Sequence, residues 1–128
     1  MSDYSHLDKR RSQRRTGVVR IPTTDLAYAH VVLFCVGAEY GLTVPELVEH
    51  HNGRCRARPR HVAMYLCRKL VESLSLSQIG TIFGGRDHAS VFHSIQRGTV
   101  IATEDRDRLK RIRAAITAAV AAEEESAA

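Results

Sequence analysis

Two adjacent glycines, Gly84 and Gly85, separate two short stretches of helical apolar spacing, and they constrain the fold more than any other feature. Before them, Ser77 to Phe83 sets Ile79 and Phe83 four residues apart, about one helical turn. After them, Asp87 to Arg97 sets Val91 and Ile95 at the same spacing. Helices joined by so tight a turn must close their angle over a shared apolar wedge, and these four side chains supply it. Asp87 is a natural cap for the second helix, which leaves His88, Ala89 and Ser90 in its exposed first turn. The pattern is that of a helix-turn-helix. A core-forming αα corner that binds nothing fits the same spacing.

The rest of the chain also reads as helix. Asp25 caps a helix to Tyr40, with Leu26, Ala29, Leu33, Val36 and Tyr40 inward and Gly41 as its stop. Thr43-Val-Pro-Glu46 is a capping box that starts a short helix through Leu47 and Val48. Residues 50–58 lack a period and read as a loop. Pro59 suits the first turn of a third helix, followed at helical spacing by Ala63, Leu66, Cys67, Leu70 and Leu74. Thr103 caps a last helix, whose stripe of Leu109, Ile112, Ile116 and Ala119 packs on its own domain or on a second copy. Glu123, Glu124 and Glu125 oppose that helix's dipole and should fray its end. No stretch alternates as a strand would. The expected fold is all-α, a compact bundle of about five to six helices containing the helix-turn-helix. In domain terms, residues 1–20 are a flexible basic arm, 21–122 the helical domain and 123–128 a frayed acidic tail.

Length and charge narrow the function. At 128 residues the chain makes about one domain and leaves no room for a multidomain enzyme. The net charge is +5. Residues 1–20 carry six basic groups against two acidic ones, and residues 44–100 eight against four. Such a footprint suits a polyanion, nucleic acid first, although a solvated surface has the same composition. Arg10, Arg11, Arg14 and Arg15 either track phosphates or keep the chain soluble. The longest apolar run, Val31 to Ala38, is far short of the ~20 residues that cross a bilayer. No signal-like start is present, and Cys35, Cys55 and Cys67 form no CxxC pair, which fits a reduced, cytoplasmic protein. Cys55 lies among arginines that favour its thiolate.

Catalysis and metal binding find little support. His50 and His51 are adjacent, His88 and His93 are five apart and off a shared face, and no cysteines or acids cluster beside them. Asp87 beside His88 resembles part of a catalytic dyad, but successive helix residues point about 100° apart and no nucleophile is specified. No G-x-x-x-x-G-K-[ST] loop is present to hold a nucleotide. The expectation is a non-enzymatic protein without metal, nucleotide or other cofactor.

Arg58-Pro-Arg-His-Val-Ala-Met-Tyr-Leu66, Ser75-Leu-Ser-Gln-Ile-Gly80 and above all Phe83-Gly-Gly-Arg-Asp-His88 resemble domain IV of DnaA, the bacterial replication initiator. The resemblance covers roughly residues 25–98, and the chain looks like a detached copy of that domain with a basic arm. It implies a helical DNA-binding module that reads short duplex boxes. Asp87 and His88 then match base-contacting residues of the major groove. Ala89 and Ser90 fall where the family usually has two threonines. Arg60 and Arg68 match phosphate-contacting positions on the long helix, and Leu76 and Ser77 sit where the first helix of the motif meets the backbone. Arg86 joins these backbone residues. Arg54, Arg56 and Arg58 lie in the basic-loop region.

The chain departs from the family at several positions. His50, His51, Asn52 and Gly53 replace a Lys/Arg cluster, with Asn52 at the position of the minor-groove arginine. His61 replaces a glutamine, and one extra residue falls within Val71–Leu74. The implied function is sequence-specific binding of double-stranded DNA at DnaA-box-like sites, regulating replication initiation or transcription on the bacterial nucleoid. The alternative is an adaptor that binds a protein partner, such as the ATPase regulator that inactivates the initiator. Asn52 and the Ala89-Ser90 pair favour that alternative.

Overall fold

The computed structural model describes residues 19–49 and 54–127, with Arg54, Cys55 and Ala127 as backbone only. Most of the expected basic arm, Asn52 with its neighbours, and the side chains of Arg54 and Cys55 lie outside the described residues. The described chain is all-α: α1 is Thr23–Tyr40, α2 Val44–Val48, α3 Arg54–Leu70, α4 Leu76–Ile82, α5 His88–Glu104 and α6 Arg106–Ala127.

The centre of the bundle is α3, which packs against α1, α2, α4 and α5. Val62, Ala63, Met64, Leu66 and Cys67 are all fully buried, because neighbours cover α3 on several sides. Among the expected inward residues of α1, Ala29, Leu33 and Val36 are fully buried, and Val32 joins them. That extra width follows from α1 lying between α3 and α6. Leu109, Ile112 and Ile116 of α6 are buried within the same core, so its apolar stripe serves its own domain. Across the open end of that contact, Glu39 of α1 accepts from Arg111 at 2.9 Å, and Arg108 stacks over the Tyr40 ring at 4.6 Å. Burial pushes the Cys67 thiol up to about 12, which leaves it inert at neutral pH.

Several helix ends differ from the sequence expectation. Pro22, not Asp25, is the N-cap of α1: its carbonyl accepts from Leu26 at 2.9 Å. Asp25 sits one turn in, where its charge still favours the helix dipole, and it accepts from Ser73 Oγ at 2.6 Å. Gly41 at φ 75° ends the helix as expected. The Thr43–Glu46 capping box forms, with bonds of 3.3 and 2.9 Å.

The larger correction concerns residues 54–58, expected as loop and found as the first turns of α3, with Pro59 inside the helix and buried. Six residues into the helix, Pro59 gives up the one backbone bond that its missing N–H would donate. Arg56 fastens this turn by pairing with Glu49 and, at 3.5 Å, with Glu46. The helix beginning at Asp87 runs on to Glu104 instead of ending near Arg97. Gly98 is no stop there; it is where α5 lies against α3, and a Cβ would strike the His61 carbonyl oxygen and approach Tyr65 Cβ to 2.6 Å. Thr103 is therefore not a cap: its hydroxyl donates to the Thr99 carbonyl at 3.2 Å, and the break falls at Asp105. Through Glu123–Glu125 the last helix continues to Ala127. Six alanines from 114 to 122 favour helix at each step and outweigh the weak dipole opposition of the three glutamates.

Candidate nucleic-acid interface

The helix-turn-helix is built by α4, the turn at 83–87 and α5. Ser75 and Gln78 form a capping box at the start of α4, with bonds of 3.1 and 2.8 Å. Gly84 and Gly85 both adopt left-handed φ values, 85° and 84°, a conformation that side-chain-bearing residues adopt at a cost. The turn folds back so that the Gly80 carbonyl accepts from both Gly85 and Arg86 backbone N–H groups, at 2.9 and 2.8 Å. Phe83, Ile79 and Val91 are fully buried beneath it, and Ile95 packs on them half-buried, which is the wedge that the spacing predicts.

Asp87 caps α5: one carboxylate oxygen accepts from the Ala89 N–H at 3.1 Å. The other lies 3.5 Å from Nδ1 of His88. Nε2 has no partner among the described residues. The His88 side chain is 57% exposed, Ser90 is exposed and Ala89 half-buried. On α4, Ser77 is exposed and Leu76 half-buried at the first turn. Phe92, one turn beyond His88, is 47% exposed. Its spacing from His88 was the available signal, and an aromatic residue there reads more readily as core.

The arginines expected on the DNA backbone take varied places. Arg86 donates to the Phe83 carbonyl at 3.1 Å and to the Glu49 carbonyl at 2.8 Å, tying the turn to the end of α2. Arg68 donates to the Leu74 carbonyl at 2.7 Å, bracing the approach to α4. Residues two apart on a helix point about 200° apart, so Arg56 and Arg58 diverge. Arg56 turns to α2, while Arg58 lies 3.8 Å from Glu104 of α5. Arg60 is only 8% exposed, and burial pulls its guanidinium pKa below the ordinary value.

His61 sits half-buried on α3 in a groove with Arg58, Arg97 and Glu104. Burial first, then the neighbouring charges of Arg60, Arg97 and Arg86, lower its pKa to about 4. The folded protein thus holds His61 neutral where an unfolded chain, with an ordinary value near 6.5, takes up a proton. Stability is full above that value and falls as the pH drops toward 4. Between pH 7 and pH 5 the loss should be about 1–2 kcal/mol. Thermal melting of the wild type should fall by several degrees more over that range than melting of His61→Gln; identical pH profiles would refute the assignment.

Among the described residues no group of three or more His, Cys, Asp or Glu is placed to hold a metal ion, and no helix is long and apolar enough to cross a membrane.

Comparison with known proteins places the motif. The family model for the bacterial DnaA protein helix-turn-helix matches residues 30–97. The chain is 43% identical over 70 residues to the chromosomal replication initiator protein DnaA of Ruegeria sp. (strain TM1040), covering 55% of this chain and 15% of that protein. It is 36% identical over 95 residues to the DnaA of Caulobacter vibrioides (strain NA1000 / CB15N), covering 74% of this chain and 18% of that one. A third relative, the DnaA of Dechloromonas aromatica (strain RCB), is 49% identical over 57 residues, which is 44% of this chain and 12% of that protein. The chain thus spans less than a fifth of the length of these relatives.

Proposed function

Because this chain belongs to the bacterial DnaA helix-turn-helix family, we propose that it binds double-stranded DNA and reads short boxes like those the initiator reads. Its role is then to regulate replication initiation or transcription at those boxes, on the nucleoid in the cytoplasm. No catalytic step or cofactor enters this reading. The observation that carries it is the presentation of His88, exposed beside the capping carboxylate, at the start of a helix fixed by a doubly bonded glycine turn. In this docking mode the first turn of the second helix enters the major groove. Asp87, His88, Ala89 and Ser90 contact base edges there. An imidazole bonds to a base edge, and the Ala89 methyl meets a thymine methyl.

Around the groove, Arg68, Leu76 and Ser77 meet the DNA backbone, as do the 54–60 arginines and His61, with Arg86 beside them. Asn52 reaches toward the minor groove, where it bonds without adding charge. Selection from randomised duplexes should enrich one box related to the initiator's own. Recovery of unrelated sequences after repeated rounds would sink this reading.

A second reading has its own support. Arg56 is paired within the protein, Arg60 is buried and Arg58 faces Glu104, so fewer cations point outward than the sequence suggests. A domain whose DNA grip has weakened in this way suits an adaptor that binds a protein instead, such as the ATPase regulator that inactivates the initiator. Purified regulator should then bind the chain in nuclease-treated buffer; binding lost with the nucleic acid counts against the adaptor.

A further inference from the structure

Between the first half of α3 and the second half of α5 lies a groove of about 520 Å³, with Ala57, Arg58 and His61 on one wall and Arg97, Ile101 and Glu104 on the other. Each wall carries a cation. Arg97 is the only Lys or Arg in the seventeen residues of α5. It is exposed and has no hydrogen bond or ion pair among the described residues. Arg58 is answered by Glu104, but at 3.8 Å and with both side chains about half in water. A pair of that kind holds weakly and opens readily. His61 adds no charge to its wall, so the groove carries a net positive charge on a concave surface that concentrates its field.

Its position fits one anion in particular. Arg97 is nine residues beyond His88 on the same helix, which is about 13–14 Å along the axis. The major groove is about 12 Å wide. Nine residues are two and a half turns, so Arg97 lies on the side of α5 opposite His88; when the helix enters end-on by its first turn, that side faces a flank of the groove, at the level of its phosphates. We propose that the groove between α3 and α5 is a seat for a DNA backbone phosphate beside the box, gripped by Arg97 and Arg58, with Glu104 as an internal competitor that limits the grip. The proposal rests on the DNA-binding reading above. It adds a contact on the recognition helix that carries affinity and no sequence information.

Fluorescence anisotropy on the full chain tests it, with box and scrambled duplexes at several salt concentrations and the variants Arg97→Ala, Glu104→Gln and His88→Ala. Arg97→Ala should weaken both duplexes alike, by roughly three- to tenfold near physiological salt, leave their ratio unchanged and make the salt slope shallower by about one. Glu104→Gln, which removes the competing charge, should tighten both duplexes by about two- to fivefold. Wild-type affinities and slopes in both groove variants, with His88→Ala still flattening the preference, would overturn the phosphate seat and leave DNA reading intact. A changed box-to-scrambled ratio in Arg97→Ala would also overturn it, since that marks a base contact. If the wild type itself shows no preference and His88→Ala changes nothing, the reading beneath it has failed. If the groove variants instead alter binding of the purified regulator and leave DNA untouched, the anion is a partner's acidic side chain and the phosphate seat is wrong.

Discussion

Gly80→Ala should destabilise the domain by about 2–3 kcal/mol, although alanine is the better helix former by about 1 kcal/mol. A Cβ at this position would run into the Arg86 carbonyl oxygen and come within 3.1 Å of its carbon and 3.4 Å of Val91 Cγ2. The two Arg86 atoms are backbone of a turn that cannot retreat. The Gly80 carbonyl takes two hydrogen bonds from that turn, and Arg86 is fastened by its own side chain to Phe83 and Glu49. Relief would require prising α5 away from α4, which uncovers Phe83. Thermal melting followed by circular dichroism should show a fall on the order of 10 °C. Gly85→Ala is the informative control: its Cβ meets nothing within 4 Å, so only the left-handed φ of 84° opposes it. That should cost about 1–2 kcal/mol. If Gly80→Ala melts no lower than Gly85→Ala, the close approach of α4 and the turn is not as described.

His88→Ala should remove most of the discrimination between a box and a scrambled duplex while leaving melting near the wild-type value. The side chain is exposed and belongs to no packed cluster, so its loss opens no cavity. Its contribution lies at the base edge, where one good contact discriminates by about 1–3 kcal/mol, or roughly five- to 150-fold. Asp87 supports it in two ways, with one oxygen capping α5 and the other beside Nδ1 of His88. Asp87→Ala should therefore lose both preference and helix stability, whereas His88→Ala loses preference alone. Equal preference in His88→Ala and wild type would move the readout elsewhere on α5, with exposed Phe92 the next residue to replace.

The elements that announced themselves in the sequence did so through short-range chemistry. The Thr43–Glu46 capping box, Gly41 as a stop, the double-glycine turn and the Asp87 cap each depend on a few consecutive residues, and each stands where the pattern placed it. The failures came where distant residues decide. Arg54–Arg58 has no apolar period, and its helix is held by Glu46 and Glu49, which no local pattern reveals. A glycine inside a helix has no local warrant, and Gly98 gains one only when α3 is laid against it. The same limit applied to the site. Its capping residues were legible, but the arginines were not sorted into outward and inward ones until the helix faces were known. Arg97 gains its place in the groove only because α5 runs on past it to Glu104.

Whether α5 reads sequence is decided by preference between duplexes, not by binding. A chain with a net charge of +5 will hold any duplex at low salt, so binding alone proves nothing. The direct measurement is fluorescence anisotropy of wild-type protein with an initiator-box duplex and a scrambled duplex, titrated from low salt to near-physiological salt. Sequence reading by α5 predicts a preference of about a hundredfold or more that persists as salt rises. Equal affinities that disappear together would contradict it, leave only counterion release, and put the adaptor reading first.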